Sequence, residues 1–171
     1  GVYELGSVFK TFTVAAAFHE GLVDVDAEYV NLEKMLKCGK FRIKEYNDRI
    51  PANLTVEQIL IRSGNVGSVR IGQKLEIEKF KSFLKKIGVL DKIDFDIEEV
   101  GQPIPFRWGK CKLATVSYGH GITTTPLQLA KGYSIITNGG YDIKPTLIKK
   151  NFISNKVRKK ILNEDVSKKI N

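Results

Sequence analysis

Hydrophobic and polar positions along the chain predict a mainly helical framework with two poorly patterned excursions. A first helix runs from about Ser7 to Glu20. Phe9, Phe12, Ala16 and the small residues between them give it an apolar, buried character, and Gly21 is placed to end it. Thr55-Val-Glu-Gln58 has the spacing of a capping box and opens a second helix carrying Ile59 and Leu60 toward Ser63. In a third, Glu76 to Ile87, the residues Ile77, Phe80, Leu84 and Ile87 form one stripe opposite a lysine face, and Gly88 stops it. The fourth has the strongest signals: an N-cap threonine at Thr125, proline at the first helical position and Gln128 at the third. It carries Leu127, Ala130 and Tyr133 as far as Thr137, and Asn138-Gly-Gly140 supplies the turn that follows. Tyr141 to Lys149 alternates like a strand, which Pro145 confines to a sheet edge. Asn163 to Asn171 reads as a further helix beginning. Asp24 to Pro51 and Asp91 to Lys112 lack either period and read as long irregular excursions, of the kind that form functional surface. No internal repeat or low-complexity linker interrupts this order.

With 171 residues, 42% hydrophobic and 27% charged, the chain has the length and composition of one domain with a real core. No stretch approaches the roughly 18 uninterrupted apolar residues needed to span a bilayer. The chain opens on Gly1, with no initiator Met, basic n-region or cleavage site, and so reads as an excised piece. The net charge of +9 permits attraction to nucleic acid, anionic headgroups or an acidic polymer. The lysines are spread along the chain, however, and no zinc-finger spacing or RNA-binding aromatic signature accompanies them, so nucleic acid is not expected as a partner. Cys38 and Cys111 match no metal-ligand spacing. In an oxidising compartment they could pair, but sequence alone does not bring two thiols together.

The chemistry begins at Ser7-Val-Phe-Lys10. Residues three apart share a helix face, so Lys10 reaches the Ser7 hydroxyl. The helix N-terminus adds partial positive charge where an oxyanion would form. A desolvated, neutral lysine could take the serine proton. The spacing alone says little: 8 Ser and 22 Lys in 171 residues give about one Ser-x-x-Lys by chance. A second copy, Ser82-Phe-Leu-Lys85, lies within the third helix, with no helix N-terminus to activate it. Ser63-Gly-Asn65 follows the second helix, where its two polar side chains could enter one cleft, Ser63 relaying a proton and Asn65 orienting lysine and substrate amide. Helix capping by Gly and Asn accounts for the same tripeptide.

Taken together, these segments resemble the class B penicillin-binding proteins, whose serine and lysine motifs form a known set. Glu4-Leu-Gly-Ser-Val-Phe-Lys-Thr-Phe-Thr13 is similar to their nucleophile segment and Ser63-Gly-Asn-Val-Gly67 to their second motif. Ala114-Thr-Val-Ser-Tyr-Gly-His-Gly-Ile122, Thr125-Pro-Leu-Gln-Leu-Ala130 and Asn138-Gly-Gly140 resemble the stretch before their third. Order and spacing agree over essentially the whole chain, and Asn-Val-Gly after the second serine resembles the septal, division-specific type.

The resemblance implies an α+β fold of the transpeptidase/β-lactamase kind, with residues 1–171 holding mainly its helical part and lacking C-terminal sheet strands. It implies Ser7 as nucleophile, Lys10 as general base, Ser63 as proton relay and Asn65 as a contact to Lys10 and the substrate amide. Tyr118, Gly119, His120 and Gly121 would lie at the substrate cleft, with His120 outside the catalytic set. The implied reaction is D,D-transpeptidation of peptidoglycan stem peptides, blocked by β-lactams, with no metal or organic cofactor. Membrane division proteins and a glycosyltransferase are the implied partners. The implied location is the periplasmic face of the inner membrane, on an anchor outside this chain.

Three features depart from the family pattern. No Lys-Thr-Gly or Lys-Ser-Gly is present, and the family places that strand beyond residue 171; these residues alone are therefore expected to be nearly inactive. Leu5 stands where proline is usual, and Gly64 replaces the usual serine at a position expected to face away from the cleft. Rival readings are a serine β-lactamase or D,D-carboxypeptidase, a non-catalytic module with this fold in a division complex, and a basic nucleic-acid binder.

Overall fold

A computed structural model of the chain describes residues 1–149 and 159–171. It is an α+β fold in which helices dominate and three two-stranded antiparallel sheets lie around them. In chain order the elements are β1 (Tyr3–Glu4), a 3₁₀ turn (Gly6–Phe9), α1 (Lys10–His19), β2 (Glu28–Tyr29), β3 (Met35–Cys38) and β4 (Phe41–Lys44). They continue with β5 (Leu54–Thr55), α2 (Val56–Ile61), α3 (Asn65–Lys86), α4 (Lys110–Val116), β6 (Thr123–Thr124), α5 (Pro126–Thr137) and α6 (Glu164–Ile170). Strand β1 pairs with β6, β2 with β5, and β3 with β4.

Helix α1 is the central element. Phe12, Val14, Ala15, Ala16 and Ala17 are fully or almost fully buried, because small residues let α3 and α6 pack close around it. Phe9 meets Phe12 edge-to-face at 5.2 Å and Phe80 at 6.4 Å, tying the start of α1 to the far half of α3. Gly21 ends the helical run at φ +64°, as its placement predicts. Both capping boxes form: Thr55 Oγ1 accepts from the Gln58 N–H and Thr125 Oγ1 from the Gln128 N–H, each with the reciprocal bond.

Four differences from the sequence reading have physical causes. The first helix opens as a 3₁₀ turn and becomes α-helical only at Lys10. The expected third helix is the second half of α3, which breaks at Glu76 (φ 60°, ψ 169°); a further helical stretch precedes it from Asn65. That first half contains Gly67 and Gly72, which lower its intrinsic helicity but are required by packing. A Cβ on Gly67 would sit 2.6 Å from the Ile59 side chain, and one on Gly72 would sit 1.8 Å from Ser117 Oγ. Helix α4 begins at Lys110, within the end of the stretch read as irregular, and is held by burial of Leu113, Ala114 and Val116 just beyond it. Tyr141 to Lys149 forms no strand. Among the described residues its one ladder contact is a bridge from Tyr141 to Lys160, and Thr146 Oγ1 and the Leu147 N–H donate to the Asp96 carboxylate instead of to a neighbouring strand.

Within the stretch read as irregular, β3 and β4 form a regular hairpin, Met35 opposite Lys44 through Cys38 opposite Phe41. Ile43 is buried against Val69 and Ala114. A disulfide joins Cys38 to Cys111 in α4, with Cα atoms 5.3 Å apart. The hairpin is thereby fixed at both its buried face and its tip, where it forms one side of a cleft.

Candidate active site

Ser7 lies on the 3₁₀ turn, exposed, directly before the buried Lys10. With three residues per turn, positions i and i+3 eclipse, so the 3₁₀ geometry aligns the two side chains more directly than an α-helix would. Lys10 Nζ is 3.1 Å from Ser7 Oγ, 2.8 Å from Ser63 Oγ and 2.5 Å from the Ser63 carbonyl oxygen. A lysine only 1% exposed loses most of its hydration, which disfavours the ammonium. Burial lowers its pKa from 10.5 to about 8, against an upward pull from the Glu45 carboxylate. This depression arises without any second cation from a third motif.

Ser63 joins α2 to α3 in a left-handed conformation (φ 55°). Such a conformation is unfavourable for a residue with a Cβ and persists where surrounding contacts impose it. Here they include the bonds from Lys10 to both its carbonyl and its hydroxyl. A third restraint comes from Glu45, at the end of β4, whose carboxylate accepts from the Asn65 N–H (2.5 Å) and the Val66 N–H (2.9 Å). It thus caps α3, whose N-cap Gly64 has no side chain to do so. Asn65 lines the cleft beside Ser7 and Ser63, but its side-chain amide donates to the Lys44 carbonyl at 2.8 Å. The expected bond from Asn65 to Lys10 is not made among the described residues, because the hairpin carbonyl takes that amide. A Cβ on Gly64 would contact the Ile59 carbonyl and Glu45 Oε1 at 3.7 and 3.8 Å, so this position faces away from the cleft with room for a serine.

Of the expected cleft segment Tyr118-Gly-His-Gly121, Tyr118 and His120 line the cleft, whereas Gly119 and Gly121 do not and instead support it through their backbone. The Gly6 N–H donates to the Gly119 carbonyl at 3.2 Å, and a Cβ on Gly119 (φ +87°) would lie 1.9 Å from the Gly6 carbonyl oxygen. Gly119 is thus a close backbone support for the nucleophile turn. The Gly121 N–H donates to Glu4 (2.8 Å), adding to the β1–β6 pairing. Tyr118 and His120 line the cleft with ring centroids 4.7 Å apart; burial, and then Glu4, raise the Tyr118 pKa. From α5, the Tyr133 hydroxyl donates to the Val8 carbonyl at 2.7 Å and lies 2.9 Å from the Thr11 hydroxyl. The cleft between these walls has a volume of about 920 Å³. Ser82, in the other Ser-x-x-Lys, is exposed on α3 and does not line it.

The model of the penicillin binding protein transpeptidase domain matches residues 1–170. The chain belongs to this family. Among relatives of this transpeptidase domain, a probable peptidoglycan D,D-transpeptidase FtsI from Caulobacter vibrioides is 27% identical over 150 residues, covering 87% of this chain and 25% of the relative. Stage V sporulation protein D from Bacillus subtilis is 28% identical over 181 residues, covering 98% of this chain and 28% of the relative. The chain therefore spans about a quarter of the length of these curated relatives. The transpeptidase domain of penicillin-binding protein 3 from Burkholderia pseudomallei superposes with a TM-score of 0.89 at 22% identity, over 99% of this chain and 51% of that one. That likeness establishes the shared fold.

Sequence reasoning missed Glu45, Tyr133 and the cationic side chains of the hairpin. Glu45 and the hairpin lie in a stretch without apparent period, and Tyr133 reads as an ordinary apolar helix position. No local signal marks any of them, because their roles depend on segments 20 or more residues away.

Proposed function

We propose that this chain carries the nucleophile half of a peptidoglycan D,D-transpeptidase, the activity named for its relatives from Caulobacter vibrioides and Neisseria flavescens, and that it acts in septal wall synthesis. The observation that carries the reading is the single buried amine within hydrogen-bonding reach of two hydroxyls in one cleft, Lys10 Nζ between Ser7 and Ser63. Neutral Lys10 accepts the Ser7 proton as Ser7 Oγ attacks the carbonyl carbon of the penultimate D-alanine. The tetrahedral intermediate collapses, its C–N bond breaks, and the departing D-alanine amine takes the proton from Lys10 through the Ser63 hydroxyl. The product is an ester on Ser7. The amine of a neighbouring stem peptide attacks that ester carbonyl, the bond from the acyl carbon to Ser7 Oγ breaks as the cross-linking amide forms, and the proton lost by the amine passes to Ser7 Oγ. A β-lactam acylates Ser7 in the same way, but its leaving nitrogen stays tethered. Asn65, Tyr118 and His120, which line the cleft, orient the substrate.

A disulfide between Cys38 and Cys111 suits an oxidising, extracytoplasmic compartment. No helix among the described residues is long and apolar enough to cross a membrane. The partners in this reading are membrane division proteins and a glycosyltransferase.

The test uses the natural full-length protein with a D-alanyl-D-alanine pentapeptide donor and an amine acceptor. We expect release of D-alanine coupled to cross-linked product, both lost in Ser7→Ala. Release of D-alanine with hydrolysis alone would assign a carboxypeptidase instead, and no release would remove the catalytic reading.

A further inference from the structure

The cleft is strongly one-sided in charge. Arg42 and Lys44 from β4, Arg49 from the loop after it, and Arg62 at the end of α2 all line it, and no carboxylate among the described residues does. The whole chain has 28 basic residues to 19 acids, so four against none departs from the chain's own balance. All four are exposed, and no ion pair among the described residues uses any of them. Arg70, which lies outside the cleft, is by contrast paired with Glu33. Glu45, adjacent to Lys44, is already occupied by the Asn65 and Val66 N–H groups.

These cations are held in position. Arg42 and Lys44 flank the buried Ile43, so strand alternation puts them together on its other face. The Cys38–Cys111 disulfide fixes the hairpin, and the Arg49 N–H donates to Asn47 Oδ1 at 2.9 Å. Unpaired guanidinium groups collected in one concave site raise the local concentration of anions and bind carboxylates in a forked geometry. A cleft of about 920 Å³ also holds more of a peptide than the dipeptide that reacts.

Resting on the acyl-transfer reading above, we propose that the cationic wall of Arg42, Lys44, Arg49 and Arg62 selects acyl donors whose peptide carries a carboxylate upstream of the reacting dipeptide. An extended acidic peptide fits a site with a nucleophile on its floor, whereas a nucleic acid would give Ser7 and Lys10 nothing to act on. The donor carboxylate pairs with the arginines while the scissile carbonyl lies over Ser7, so neutralising it as a carboxamide weakens binding without altering the reacting bond.

The experiment compares two fluorescent peptides ending in D-alanyl-D-alanine that differ only by Glu or Gln upstream. Their affinity for the natural full-length protein bearing Ser7→Ala is measured by anisotropy at low and high salt, and their acylation rates are measured on the wild type. We expect the Glu peptide to bind about tenfold more tightly at low salt. The preference should shrink in high salt, disappear in Arg42→Gln/Arg49→Gln, and reverse toward the Gln peptide in Arg49→Glu. Lys81→Gln/Lys85→Gln, which removes the same charge from α3, should leave it intact. Equal affinity of the two peptides for the Ser7→Ala protein overturns the proposal, as does a preference that persists in the double arginine variant. Displacement of the peptide by an equimolar oligonucleotide also overturns it, assigning the wall to nucleic acid. If the wild type is not acylated by either peptide, the catalytic reading fails while the binding ratio still decides the role of the wall.

Discussion

If Lys10 is the base that activates Ser7, acylation must follow the fraction of Lys10 that is neutral. With its pKa near 8, that fraction is about 1% at pH 6, half at pH 8 and about 90% at pH 9. The second-order rate of labelling by a fluorescent penicillin should therefore rise about 90-fold between pH 6 and 9 and then level off. A lysine at its ordinary 10.5 would give a rise of about 1,000-fold over the same range, with no bend before pH 10. Stopped-flow labelling of the natural full-length protein in constant ionic strength resolves the two curves. A second cation near Lys10 would move the bend below pH 8. A rate that climbs with unit slope beyond pH 9.5, or one independent of pH from 6 to 9, refutes the assignment of Lys10. The same shift has a consequence for stability. Below pH 8 the folded chain holds a buried ammonium that the unfolded chain hydrates freely, and that penalty is relieved as pH rises from 8 to 10.5. The Lys10 contribution therefore makes folding more favourable with increasing pH in that window, a trend that Lys10→Met should remove in thermal melts.

Other perturbations follow from the same contacts. Glu45→Gln removes the charge that raises the Lys10 pKa, so the bend in the labelling profile moves to lower pH; it also weakens the α3 cap, lowering stability by about 1 kcal/mol in denaturant titration. Gly119→Ala places a methyl group against the Gly6 carbonyl at a φ that disfavours it, and penicillin labelling should fall at least tenfold as the turn carrying Ser7 shifts. Breaking the disulfide frees a loop of 73 residues' separation; Cys38→Ser/Cys111→Ser should cost about 2–4 kcal/mol in thermal unfolding and slow labelling through loss of the hairpin wall.

Signals local to a few residues were legible from the sequence. The two Thr-x-x-Gln boxes predict the starts of α2 and α5, Gly21 predicts the end of the first helical run, and the apolar stripe from Ile77 to Ile87 marks the second half of α3. Features that depend on distant partners were not. Gly67 and Gly72 lower helicity locally, yet their missing side chains are what let Ile59 and Ser117 approach. The β3–β4 hairpin lacks clear alternation because only Ile43 is deeply buried and the other positions of β4 face solvent or the cleft. Tyr141 to Lys149 shows the converse: alternation was present, but the Asp96 carboxylate takes backbone and hydroxyl donors at Thr146 and Leu147. For the site, the pairing of Ser7 with Lys10 follows from spacing and that of both with Ser63 from the family resemblance. The capping carboxylate of Glu45 and the charged hairpin wall emerge only once the chain is folded.

Treating the natural full-length protein with benzylpenicillin and locating the adduct by peptide mass spectrometry tests the central claim most directly. A single penicilloyl group should lie on Ser7 and be absent from Ser7→Ala, with Ser63 and Ser82 unmodified. An adduct on another residue, or none after prolonged exposure, would contradict the account.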